Sequence, residues 1–452
     1  MRLPHITKSR RHLLSLASVA ALAPLSAQVS AETISAETIT VATVNNADMV
    51  VMQSLTSEFE KAHPDITLDW VVLEENVLRQ RLTTDVATQG GQFDVMTIGT
   101  YEVPIWAKHG WLTKLDNLPE DYQVDDLIKP VRDGLSVTEG EKKGLYALPF
   151  YGESSMLYYR KDLFEQAGIE MPEQPTWSQV NDWAAKLNSA DEGVYGICLR
   201  GKPGWGENMA VLGTMVNSFG GRWFNEEWEP QLDSPAWSEA INFYVDMMGK
   251  YGPPGATSNG FNENLALFSS GKCGMWVDAT SAAGKLYNPK ESSVADKLGF
   301  APAPIAKTEK GSHWLWSWAL AIPESSKSKE AAQTFITWAT SQEYVNLVGE
   351  REGWASIPPG TRVSTYENQS YKDAAPFAGF VMDAITSADP TDPTLEPVPY
   401  VGVQMVTIPE FQSIGTQVGQ MIAAALAGQM SVEQALSSAQ RSTERTMRQS
   451  GY

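Results

Sequence analysis

Carboxylates and tryptophans fall together at several points where the regular patterning of this chain breaks off. Glu153 stands in Tyr151-Gly152-Glu153-Ser154-Ser155, between two apolar runs. Asp278 follows Trp276 with period two at the end of Cys273-Gly274-Met275-Trp276-Val277. Arg200, Trp205 and Glu207 share one loop-like stretch, residues 200–207, rich in Gly and Pro. Trp314, Trp316 and Trp318 alternate, which sets them on one face of a strand. Trp354 stands in Glu352-Gly353-Trp354-Ala355, and Tyr101, Tyr151 and Asn45 complete the set. These side chains suit a neutral molecule whose C–H faces are fringed by hydroxyls. Aromatic rings cover the faces, while carboxylates and a guanidinium make charge-assisted hydrogen bonds, roughly twice as strong as neutral ones.

Each residue also has a plainer reading. Glu153 suits a solvated loop, and Asp278 suits a helix cap for the segment from Ala279 onward. Arg200 and Glu207 could form a surface ion pair, and Trp205 could simply pack its loop. A tryptophan stripe on a covered sheet is commonly core; within it Trp316 is the ring expected to floor a cleft. Trp177, Trp183, Trp237 and Trp338 fall at helical core spacing and read as packing.

The elements that must position these residues follow from periodicity. A β-branched run over residues 38–44, a helix marked by Val51, Leu55 and Phe59, a strand over 66–72, a helix marked by Val77, Leu78, Leu82 and Val86, and a strand over 93–98 give a strand–helix–strand–helix–strand series. That order predicts an α/β fold with a mainly parallel sheet flanked by helices. Ligands of such sheets bind at strand C-termini, where Asn45, Asn46 and the Thr100-Tyr101-Glu102 loop stand. A second series follows: strands over 156–160, 196–199, 273–277 and 314–322, a helix capped by Thr176, and a helix opened by Ser234-Pro235. Ser431-Val432-Glu433-Gln434 has the form of a capping box ahead of a final helix.

Composition narrows the class. The chain has 452 residues and a formal net charge of −20, which disfavours nucleic acid and anionic lipid as partners. Arg2, Lys8, Arg10 and Arg11 precede an apolar stretch over residues 13–25 and small-residue cleavage motifs, so residues 1–31 read as a signal peptide. Ser9-Arg10-Arg11-His12-Leu13-Leu14 leaves twin-arginine and general export both open. Cleavage removes four Lys/Arg and no Asp/Glu, taking the charge from −20 to −24. Cys198 and Cys273 are the two cysteines, and an oxidising compartment permits either a disulfide or two buried thiols. No metal site and no cofactor are expected.

The order of segments resembles the family 1 extracellular solute-binding proteins of ABC importers, the maltose-binding-like group. Three stretches carry the likeness: residues 144–150 running into 156–164, residues 268–276, and residues 422–428 running into 432–436. Residues 196–208 and 275–280 are similar to the sorbitol- and mannitol-binding branch. The resemblance implies two lobes, 37–150 plus 316–358 and 151–315 plus 359–452, with ligand in the cleft between them. It also implies a role for Glu153 like that of a sugar-contacting carboxylate, a periplasmic location, a membrane permease as partner, and a monomer. No GxxxxGK[ST] loop is present, so the ATPase would be another chain.

The rival class is a secreted glycoside hydrolase, which needs an acid and a base or nucleophile at a set separation. Glu153, Glu207 and Asp278 could be cast in those roles. Ser/His/Asp catalysis is poorly supplied, with five His and no Gly-x-Ser-x-Gly motif.

Overall fold

The computed structural model describes residues 36–452, so the signal-peptide reading lies outside the described residues. The strands are β1 (Glu37–Val44), β2 (Ile66–Leu73), β3 (Val95–Gly99), β4 (Ser136–Val137), β5 (Gly144–Leu145), β6 (Ala147–Glu153), β7 (Ser155–Arg160), β8 (Tyr195–Cys198), β9 (Cys273–Ala279), β10 (Leu298–Pro302) and β11 (Trp316–Ala321). They form a five-stranded sheet, order β2-β1-β3-β11-β6, a four-stranded sheet, order β10-β7-β9-β8, and the small hairpin β4-β5.

The opening series folds as its pattern dictates. β1 pairs parallel with β2 and β3, and helices Ala47–Ser54, Thr56–Ala62 and Glu75–Thr88 connect them. The helix expected from Val51 to Phe59 is broken at Leu55 into two pieces. Each sheet is mainly parallel, as the pattern predicts, with one strand reversed. β11 runs antiparallel to β3 and β6, and β7 runs antiparallel to β9 and β10. β11 arrives from the far end of the molecule after the chain has built the second sheet, so it enters the first sheet in reverse. Helical patterning between successive strands does not record that return.

Local signals set the helix ends. Thr176 and Ser431 each accept from the backbone N–H three residues on, while Gln179 and Gln434 reach back, giving the two capping boxes. Helices Phe411–Leu426 and Val432–Ser450 pack together and against Pro235–Tyr251, which covers the second sheet. Cys198 and Cys273 are joined by a disulfide within that sheet. The β8–β9 ladder sets Cys198 opposite Trp276 and not opposite Cys273, so register alone does not predict the bond.

The chain crosses between sheets at β6–β7, and a second crossing lies beside it. The Gly152 N–H donates to the Pro359 carbonyl at 2.8 Å. A Cβ at Gly152 would fall 2.3 Å from the Gly360 carbonyl oxygen, so this approach of two backbones requires glycine.

Candidate functional site

Strand register assembles the floor of the site. β11 sets Trp316 opposite Glu153 and Trp318 opposite Tyr151, and the two-residue period puts all four side chains on one face. A register shift after Trp318 accommodates Pro149, which has no N–H for the ladder. Trp316 lies flat across the end of β3, where a Cβ at Gly99 would fall 2.1 Å from its ring. Against this face come the segment after β8, with Arg200 and Trp205, and Gln404 from beyond the second crossing. Together with Arg79, Asn46, Phe261 and Trp314 they line a narrow cavity. A wider cavity of about 1010 Å³ shares Asn46, Glu75, Tyr151 and Phe261 with it. The two lobes touch along the rim: Lys202 Nζ lies 2.6 Å from Glu74 Oε1, and Asn262 Nδ2 donates to the Asn45 carbonyl at 3.4 Å.

Two arginines face the cavity, and each carries its own counter-ion. Arg200 forks onto Asp278, with Nη2 to Oδ1 at 2.5 Å and Nε to Oδ2 at 2.9 Å, and Nη1 donates to the Gly206 carbonyl at 2.9 Å. Burial is the largest single influence and would lower its pKa, but Asp278, Glu207 and Glu75 together outweigh it and raise the guanidinium above its ordinary value. Arg79 pairs with Glu102 and, at 3.0 Å, with Glu75, while Glu102 Oε2 accepts from the Gly99 N–H at 2.9 Å. The Arg79 guanidinium carbon lies 4.1 Å from the Trp205 ring centre, 4.7 Å from Trp318 and 5.1 Å from Trp316. This cation–π stack joins helix Glu75–Thr88 of one lobe to the Trp205 loop of the other.

Glu153 is differently placed. It is 7% exposed, and among the described residues its carboxylate has one hydrogen bond, from the Ser281 hydroxyl to Oε2 at 2.6 Å. Burial pushes its pKa up to about 8, against the smaller opposing effects of that hydroxyl and of Arg200. Glu207 is pushed up to about 7 by burial and by Glu75, while Arg200 and Lys202 oppose the shift. Among the described residues, three polar atoms of side chains lining the narrow cavity are buried without partners: Trp205 Nε1, Trp314 Nε1 and Gln404 Oε1. Buried donors and acceptors are normally paired; these three, on residues of the cavity wall, are not.

The match to known proteins agrees with this geometry. Residues 44–346 match the family described as bacterial extracellular solute-binding protein. The chain belongs to that family. Among relatives of this solute-binding protein is the mannitol-binding protein of Pseudomonas aeruginosa, 60% identical over 437 residues, covering 97% of this chain and 98% of that one. An ABC transporter solute-binding protein of Agrobacterium vitis S4, solved with bound D-mannitol, is 61% identical with a TM-score of 0.90, over 92% of this chain and 100% of that one. A solute-binding protein of Agrobacterium radiobacter K84, in complex with ribitol, shares the fold at 23% identity and a TM-score of 0.79, over 90% of this chain and 98% of that one.

Within this solute-binding fold the residues singled out from sequence separate into groups. Glu153, Tyr151, Arg200, Trp205 and Trp316 meet at the narrow cavity. Glu207 lines the wider one, with Lys202 Nζ at 3.1 Å. Asp278 lies behind the wall: it is fully buried, and its carboxylate is taken up by Arg200, the Trp276 indole N–H at 3.0 Å and the Ala279 N–H at 2.7 Å. Tyr101 is likewise backing, its ring 4.6 Å from Trp205 and its hydroxyl donating to the Ile408 carbonyl at 2.9 Å. Trp354 packs over Gly349 on helix Gln342–Arg351 and lines neither cavity, although Ala355 beside it lines the wider one. Asn45 is exposed and lines only the wider cavity, whereas its neighbour Asn46 is buried and donates to the Tyr151 hydroxyl at 2.9 Å. Asn46, which the strand-end position also marked, does line the narrow cavity, whereas Arg79, Phe261 and Gln404 are lining residues that sequence reasoning missed. The spacing of Glu75 and Arg79, four apart on a predicted helix, was the one available signal for Arg79, and it reads equally as a surface pair.

Proposed function

We propose that this solute-binding protein captures a sugar alcohol, D-mannitol or a close relative, where the narrow cavity opens into the wider one, and delivers it to the permease of an ABC importer. The observation that carries the reading is the set of unpartnered buried polar atoms, Trp205 Nε1, Trp314 Nε1 and Gln404 Oε1, placed among indole faces. Hydroxyls of an extended polyol would satisfy those atoms while its C–H faces lie on the rings. The identity of about three-fifths to proteins named or solved with mannitol supports the same ligand. Glu153, Tyr151, Arg200, Trp205 and Trp316 then contact ligand, with Asn46, Arg79 and Gln404 added, while Glu207 guards the wider mouth.

The cleft closes by a hinge between lobes of residues 37–150 plus 316–358 and 151–315 plus 359–452. The protein acts in the periplasm as a monomer after loss of its leader, and it binds without catalysis. In the hydrolase alternative Glu153 needs a second carboxylate free to act, but Asp278 is spent on Arg200, and Glu207 faces Lys202 and Arg200. Thermal melts of the purified protein with a panel of alditols, hexoses, amino acids and peptides test the reading. A ligand at a hundredfold excess over Kd stabilises by about 2.7 kcal/mol, so mannitol should raise the melt distinctly. A shift with amino acids or peptides alone, or cleavage of chromogenic glycosides, would overturn it.

A further inference from the structure

The charges around the narrow cavity are unevenly satisfied, and the imbalance bears on which ligands it accepts. Arg79 is matched by Glu75 and Glu102. Arg200 is matched by Asp278, with Glu207 a further 3.9 Å away. Lys202, at the wider mouth, sits between Glu74 and Glu207. Glu153 is the exception: among the described residues it has no cationic partner within ion-pair distance, only the Ser281 hydroxyl on one oxygen. Gln404 adds a second acceptor, 4% exposed, whose Oε1 receives no donor. An anionic ligand therefore meets only cations whose charge is already spent on carboxylates. A ligand ammonium brings three N–H donors and a positive charge to a buried acid that has one hydroxyl donor and no paired cation.

We propose that this cavity accepts protonated amino-alditols alongside neutral alditols, seating the ammonium on Glu153, and rejects aldonates of the same chain. The proposal rests on the polyol reading above and adds the ligand's charge class to it. Burial holds Glu153 at about 8, so seating an ammonium on it releases a proton. The charged groups that act on Glu153 are Arg200, Asp278 and Glu75. Tyr151 and Tyr158, also close by, stay neutral because burial raises both.

Calorimetric titration with D-mannitol, 1-amino-1-deoxy-D-mannitol and D-mannonate, at neutral pH, tests this. The amino-alditol should bind within about tenfold of mannitol or tighter, and mannonate at least about a hundredfold more weakly. Between about pH 6 and pH 8 the ratio of amino-alditol to mannitol affinity should rise, because the proton to be released is held less firmly. In Glu153→Gln that ratio should fall at least about tenfold, since the charged acceptor is gone. Mannonate binding as tightly as mannitol, rejection of the amine, or a ratio flat with pH in the wild type would overturn the inference and leave the polyol reading standing. If none of the three ligands binds, the polyol reading falls and takes this inference with it.

Discussion

Glu153 and Asp278 invite comparison, because the sequence casts them alike. Each follows an aromatic residue two positions earlier and stands at the end of a strand, and both are buried. What separates them is the supply of donors. Asp278 receives the Arg200 fork, an indole N–H and a backbone N–H, whereas Glu153 receives one hydroxyl. The first is a fixed counter-ion that aims Arg200 at the cavity. The second keeps acceptor capacity for something else. For a buried carboxylate, the donors left unfilled are a better guide to function than burial or location.

Variants should separate the two acids. The largest effect is expected from Asp278→Asn. Stripping one partner from a buried pair costs about 3–5 kcal/mol, so the melt of the unliganded protein should fall and mannitol affinity should fall with it. An unchanged melt would place Asp278 with Glu153 after all. Next comes the Cys198–Cys273 link, which ties the strand leading into Arg200 to the strand carrying Asp278. Replacing both with Ala should cost about 4 kcal/mol through the loop it closes, and thiol titration of denatured, unreduced protein should find no free thiol. Two free thiols would remove the link from the account of that side of the cavity.

Trp205→Ala removes the ring stacked on Arg79 and one cavity wall. A loss of about 2 kcal/mol in mannitol binding, some thirtyfold in Kd, is expected by calorimetry. The smallest effect on the fold belongs to Glu153→Gln, which should weaken mannitol about tenfold while leaving the melt at acidic pH unchanged. Its signature lies in pH dependence. Folding raises the Glu153 pKa from 4.5 to about 8. Between those values the folded state binds more protons than the unfolded one, so stability falls as pH rises through the window. Glu153→Gln should flatten that fall in a series of melts. A wild-type melt that rises across the same range, or a variant as steep as the wild type, would put Glu153 in the same category as Asp278.

What the sequence determined by itself was local. The opening strands and helices, the capping boxes at Thr176 and Ser431, and the Trp316–Trp318 alternation are written within a few residues, because backbone hydrogen bonding and side-chain period act over that range. The family likeness added the two-lobe architecture. The direction of β11 was not legible, since it depends on which end of the sheet the chain returns to. Nor were Arg79 and Gln404, because nothing near them in the chain distinguishes a cavity wall from an ordinary helix or loop. Only the tertiary structure decided between the two acids. The guanidinium that fills Asp278 comes from 78 residues away, and the hydroxyl that meets Glu153 from 128. No pattern within a strand records which donors the fold will bring to its end.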